Sequence, residues 1–201
     1  MRRWLALTLL FRTPDAGRMT DRTELDGYGL ETPACRLLLS HWLDARGAEP
    51  VPARAAIDPG ALKAVLPHVV MLNMVDPETA VYRLVGTAHR SRWGIELTGH
   101  IWGEFLDDTQ RIERTRRLWQ AVAQPCGFAA RYEVVFASGA HDPVETLLLP
   151  LRPNDPSGSP IMIGIGISTR QVEWVNQPGS VASRTAERFR FLDLGTGVPS
   201  A

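Results

Sequence analysis

Ile161 to Ile167 reads IMIGIGI, seven consecutive residues without one polar side chain. A strand with one wet face alternates polar and apolar residues; a continuous apolar strand belongs to a sheet covered on both faces. Val144 to Leu151 is also mostly apolar, and Asn154-Asp155-Pro156-Ser157-Gly158 supplies a turn between the two runs. Phe128 to Phe136 alternates instead, with Phe128, Ala130, Tyr132, Val134 and Phe136 set against Arg131 and Glu133. The core of the chain is therefore predicted to be a sheet sandwiched between other elements. Gly164 and Gly166, two residues apart in the apolar run, leave one face bare enough for a helix or a ligand to come close.

Two more strands are predicted over Val69 to Val75 and Val81 to Val85, joined as a hairpin by Asp76-Pro77-Glu78-Thr79. Thr32-Pro33 starts a helix and Gly47 ends it. At about 100° per residue its polar strip is only Arg36, Ser40 and Asp44, so it is apolar around most of its circumference and buried on two sides. Pro50 to Ala56 reads as extended, and Asp58-Pro59 caps a short helix through Val65 that Pro67 terminates. Gly86 to Leu106 carries helical pieces broken by Gly94, Gly99 and Gly103. Asp107, with Gln110 as its capping-box partner, opens a long helix. Its apolar stripe is Ile112, Thr115, Trp119 and Val122, with Arg111, Arg114, Arg116 and Arg117 in solvent. Pro150 inside a strand demands either a bulge or a neighbouring strand that has already ended. Arg184 to Leu192 reads as a short helix.

Lysine plus arginine and aspartate plus glutamate both number 22, and this zero balance speaks against a protein built to hold nucleic acid. Cys35 and Cys126 form no metal-binding spacing and read as thiols in a reducing, cytoplasmic compartment. The apolar run Trp4 to Phe11 after Arg2-Arg3 is too short for a membrane span and lacks a cleavage site. The expectation is that translation begins at Met19 or that residues 1–18 are a loose tail. The domain is placed at 33–170, with tails at 1–32 and 171–201.

Several stretches have a familiar order. They are His41-Trp42-Leu43 with Arg46-Gly47, Arg54 with Ile57-Asp58-Pro59 and Leu62, and Leu66-Pro67. Tyr82-Arg83-Leu84-Val85-Gly86-Thr87, Leu97-Thr98-Gly99 and Leu148-Leu149-Pro150-Leu151 follow. In this order and spacing the chain resembles a bacterial family of short, stand-alone PAS proteins, over roughly Leu37 to Ile167. The resemblance implies an α+β fold: a five-stranded antiparallel sheet, helices on one face and an N-terminal helix over the other. It implies a sensory or signalling role, with a ligand cavity between the sheet and the segment from the second strand to the long helix.

In that segment the candidate pocket residues are Tyr82, Leu84, His89, Trp93, Trp102, Phe105 and Trp119, with Tyr132 from the opposite strand. The set is aromatic with few polar atoms, so a ligand should be small and largely apolar, anchored by His89 and a tyrosine hydroxyl. Haem ligation by His89 competes with a backbone-satisfied histidine. Flavin photochemistry is set aside, because Cys126 lies at the end of the long helix without an N-C-R-F-type motif. No catalytic motif occurs. An enzyme on a cone-shaped α+β fold would have to draw its His/Asp pair from His89, His100, Asp107 or Asp108. A third reading is a ligand-free adaptor with a filled core. Output should run through a protein partner, and a homodimer is expected through Leu37, Leu38, Leu39, Trp42 and Leu43 of the N-terminal helix.

Overall fold

The computed structural model describes residues 25–136, 139–170 and 181–200; the tail and start-codon expectations for residues 1–24 lie outside them. The helices are α1 (Pro33–Arg46), α2 (Thr87–Trp93) and α3 (Asp108–Ala123). The strands are β1 (Val69–Asp76), β2 (Thr79–Val85), β3 (Gly127–Phe136), β4 (His141–Leu151), β5 (Ile161–Ser168) and β6 (Val181–Leu192). They form one sheet in the order β2-β1-β5-β4-β3-β6, with every neighbouring pair antiparallel.

The continuous apolar strands divide their side chains between two cores, as a doubly covered sheet requires. Leu147, Leu149, Leu151, Ile161, Ile163 and Ile165 face α1, where Leu38, Leu39 and Trp42 meet them. Leu148 and Met162 face the other way, toward Trp93 of α2 and Leu118 and Ala121 of α3. Gly164 and Gly166 share that second face, since side chains in a strand alternate. The isoleucines of IMIGIGI therefore build one core; on the other face Leu148 fills the space over Gly164, and Gly166 leaves room beneath the helices.

Helix α1 is fixed by polar contacts as well as by packing. Thr32 caps it, its hydroxyl accepting from the Cys35 amide at 3.3 Å. Glu145 of β4, almost fully buried, accepts from the Thr32 amide and hydroxyl at 2.7 Å each and from the Glu31 amide at 2.9 Å. Burial alone would raise the Glu145 pKa, but these donors outweigh it and hold it below the usual carboxylate range. The carboxylate also sits at the positive end of the helix. Further along, the Trp42 indole donates to the Pro150 carbonyl at 2.7 Å. Pairing of β3 with β4 stops at Phe128–Leu148, so the missing Pro150 N–H falls where the neighbouring strand has ended; the pairing with β5 runs through it without a bulge.

Four expectations are corrected. The sheet has six strands rather than five, because Arg184 to Leu192 is not a short helix but most of β6, paired along β3. The residues R-F-R-F-L repeat with period two; Phe189 stacks on Phe128 with centroids 5.8 Å apart, and Phe191 meets the same ring edge-on at 6.1 Å. This strand, with buried Leu192 and Leu194, lies inside the segment read as a C-terminal tail; Leu25 and Leu30 likewise join the core from within 1–32. Residues 59–65 form turns rather than a short helix, followed by a 3₁₀ turn over Leu66–His68. Leu38, Leu39 and Trp42, expected at a dimer interface, are fully buried in their own protomer's core. Only Leu37, 37% exposed, and the half-buried Leu43 remain near the outer side of α1.

Candidate ligand site

The second face of the sheet does not close completely. Between it and the α2–α3 segment lies a cavity of about 80 Å³. Its floor is Gly166 with Leu148 and Val70; its walls are Tyr82, Trp93, Trp102, Phe128 and Tyr132. The floor exists because Gly166 has no side chain. A Cβ there would come within 3.3 Å of the Thr146 hydroxyl, 3.4 Å of His89 Cε1 and 3.6 Å of the Tyr132 hydroxyl.

The segment that roofs the cavity is stitched to the sheet edge. Gly99 and Trp102 donate to the Tyr82 and Ala80 carbonyls at 2.8 Å each, and Tyr82 donates to the His100 carbonyl at 2.9 Å. This holds Trp102 over the cavity and covers the outer side of β2. Helix α2 is set by Gly86 at its start and ends at Gly94, which has φ +72°. It is anchored from inside by Arg92, only 3% exposed, whose guanidinium reaches the Gly166 carbonyl at 3.4 Å and Asp142 at 4.0 Å. Asp142 is buried in turn and accepts from the Ser168 hydroxyl at 2.5 Å. Burial pushes the Asp142 pKa up, against the pull of Ser168 and Arg92.

Five of the eight predicted pocket residues line the cavity: Tyr82, His89, Trp93, Trp102 and Tyr132. Leu84 does not. A register shift between Met71–Leu84 and Leu72–Tyr82 turns it away, and it is 43% exposed. Phe105 stacks on the far side of Trp93, centroids 5.4 Å apart, and is itself 51% exposed. Trp119 packs on the core beside the cavity without lining it. Arg114 and Arg117, read as solvated, do line it.

The polar atoms are few. His89 Nε2 lies 2.8 Å from the His68 carbonyl; a carbonyl can only accept, so Nε2 carries the proton. The histidine is thus satisfied by backbone. With Nε2 committed and a cavity far below the roughly 300–1,000 Å³ of ordinary ligand pockets, the site as formed does not fit haem. Thr146 donates to the Tyr132 hydroxyl at 3.3 Å, which marks the polar end of the floor. The residues considered for an acid–base pair do not meet. His100 is at the surface 2.7 Å from Glu104, Asp107 caps α3 by accepting from Gln110 at 3.0 Å, and Asp108 pairs with Arg111. Cys35 and Cys126 are free, buried and away from the cavity; burial pushes the Cys126 pKa up to about 11 and that of Cys35 higher still. Neither thiol is primed to react.

Hidden from sequence reasoning were Arg92 and Asp142. An arginine in T-A-H-R-S-R-W and an aspartate beside a proline look like surface residues, and nothing local marks them as a buried pair. Burial of Gly166 against a histidine 77 positions earlier had a signal only in the paired glycines of the strand.

An antiparallel sheet covered by one helix on one face and by a helical segment enclosing a small cavity on the other defines a PAS-type sensory fold. Residues 30–165 match the family model described as PAS domain, and the chain belongs to that family, whose members are in general sensory and signalling modules. Among solved structures, the PAS domain of an HTR-like protein from Haloarcula marismortui is similar, at 15% identity and a TM-score of 0.36, covering 55% of this chain and 90% of that one. No curated protein matches. No helix among the described residues is long and apolar enough to cross a membrane.

Proposed function

We propose that this PAS domain takes a small, largely apolar ligand into the cavity above Gly166 and passes its occupancy on by protein contact, without catalysing a reaction. The observation that carries the reading is the bare glycine floor under an aromatic wall, with His89, Tyr132 and Thr146 close around Gly166 and Arg114 and Arg117 the charged residues of the lining. Helix α2, which supplies His89 and Trp93, also carries the buried Arg92 contact to the far ends of β4 and β5. A ligand that moves α2 would therefore be felt at the sheet. The free, buried thiols support a reducing, cytoplasmic setting.

The test is Gly166→Ala. Its Cβ meets neighbours at 3.3–3.6 Å, so the fold adjusts by tenths of an ångström while the floor rises. The melting temperature should move by no more than roughly 2–4 °C, equivalent to about 1 kcal/mol. Retention of a co-purifying or added ligand should fall sharply. A second reading, the ligand-free adaptor, is favoured by the small size of the cavity, about 80 Å³. On that reading Gly166→Ala leaves every interaction of the protein unchanged.

The proposed homodimer now rests on the outer side of α1 alone. Leu37→Glu, at a partly exposed position, should leave the fold intact and convert a dimer to a monomer in sedimentation velocity. An unchanged sedimentation coefficient with a folded protein would move the partner surface elsewhere. The same substitution at Leu38 or Leu39 would bury a charge in the core and is expected to unfold the chain.

A further inference from the structure

Resting on that ligand-site reading, we infer that the ligand is a small amphipathic carboxylate, its apolar end in the aromatic cavity and its acidic head held by Arg114 and Arg117. The two arginines stand three residues apart on α3, on one face of the helix, and both line the cavity. Among the described residues, no aspartate or glutamate lines it with them. Arg117 is placed rather than waving: its guanidinium lies over the Phe189 ring of β6, 3.9 Å from the centroid. Its carboxylate contact is Glu113, more than half exposed, the kind of surface pair that competes weakly with a bound anion.

The surroundings carry the same sign. Past Arg117 and Phe189 the cavity gives way to an open groove that adds Arg131, Arg188 and Arg190. Arg131 and Arg188 stand directly opposite each other on β3 and β6, but Arg131 is already paired with Glu31 at 2.7 Å and lies 3.9 Å from Glu145, so the carboxylate head rests on Arg114 and Arg117 and not on that pair. Among the described residues that line the groove the one carboxylate, Glu145, is buried, lies 3.9 Å from Arg131 and already accepts from Thr32 and Glu31. A guanidinium is weakly hydrated and presents a planar fork that matches a carboxylate. A cavity of about 80 Å³ holds only a short stretch of hydrocarbon, so the head of a slim chain would emerge at the α3 arginines.

The experiment titrates the intact protein with octanoate and with 1-octanol, following the fluorescence of the tryptophans that line the cavity. Octanoate should bind about tenfold or more tightly than 1-octanol, the scale of one charge-assisted hydrogen bond. The double variant Arg114→Gln/Arg117→Met keeps an apolar stem over Phe189 and should erase that preference, with 1-octanol binding unchanged and the far-ultraviolet circular dichroism intact. Equal affinity for the two probes on the wild type, octanoate binding unaffected by the double variant, or no saturable octanoate binding would each overturn the inference. Gly166→Ala separates the two readings: it should weaken both probes alike. If it weakens both but the arginine variant changes nothing, the cavity stands and the carboxylate head does not. If it weakens neither, the cavity itself is not where they bind, and the inference falls with it.

Discussion

Glu145→Ala should cost roughly 3–5 kcal/mol, because it removes the buried charged acceptor of three donors, each worth about 1–3 kcal/mol when left unsatisfied. It leaves the Glu31 amide, the Thr32 amide and the Thr32 hydroxyl without their acceptor in a buried site. For a domain of this size that is a fall in melting temperature of about 10 °C or more. The site ties the start of α1 to the middle of the sheet, so the variant should also loosen α1, read as faster amide exchange over Pro33–Arg46. Glu145→Gln separates charge from shape. Because the folded pKa of Glu145 lies below its unfolded value, near 4.3, its stabilisation is present above that value and is lost as pH falls through the folded pKa. The stability gap between wild type and Glu145→Gln should therefore be widest near neutrality and close in acid. Asp142, whose pKa is raised, works in the opposite sense, but it is present in both proteins and cancels from the difference. A gap that persists undiminished to acid pH would show that the carboxylate charge is not what holds the helix.

Gly86→Ala should be nearly as damaging for a different reason. The backbone there is ordinary, φ −68° and ψ 152°, so no conformational strain is involved. The difficulty is space: a Cβ would stand 2.3 Å from the Pro67 carbonyl oxygen and 2.5 Å from that of Leu66. Neither can swing aside, since both are backbone in the 3₁₀ turn that leads into β1. The corner must open, weakening the Gly86 amide bond to the Val69 carbonyl, now 2.7 Å, and the His89–His68 contact beside it. A loss of about 3 kcal/mol or more is expected, at the upper end of overpacking effects. The contrast with Gly166→Ala is the useful part. The same added methyl should unfold the chain easily at one glycine and be tolerated at the other, measured as urea midpoints on both variants. Equal midpoints would mean the tight corner at Gly86 is not the constraint described.

The strands were legible because burial writes itself into periodicity. IMIGIGI announced a sheet covered on both faces, and its two glycines announced a close approach on one of them, by Leu148 at Gly164 and by the cavity and His89 at Gly166. The caps of α1 and α3 were also readable, since Thr32 and Asp107 act on amides within three residues of themselves. What acts at long range was not. Glu145 sits near the start of the mostly apolar β4, and nothing near it says that the donors it accepts from belong to residues more than a hundred positions earlier. The inward aim of Tyr82 was foreseen and that of Leu84 was not achieved, because one register shift on β1–β2 reverses a face that simple alternation assigns to both. The burial of Leu38, Leu39 and Trp42 shows the limit of a helical wheel. A widely apolar helix can spend nearly all of its apolar surface on its own sheet, leaving little for a partner. The sixth strand had a period-two signal in R-F-R-F-L, outweighed by its polar, glycine-bounded setting.

The central claim, that the cavity over Gly166 receives a small molecule, is tested most directly by native mass spectrometry of wild type and Gly166→Ala purified side by side from the native host. The wild type should carry a small bound mass that is absent or strongly reduced on the variant, with both proteins folded. A wild type that carries no added mass, or a bound mass retained equally by Gly166→Ala, would contradict it.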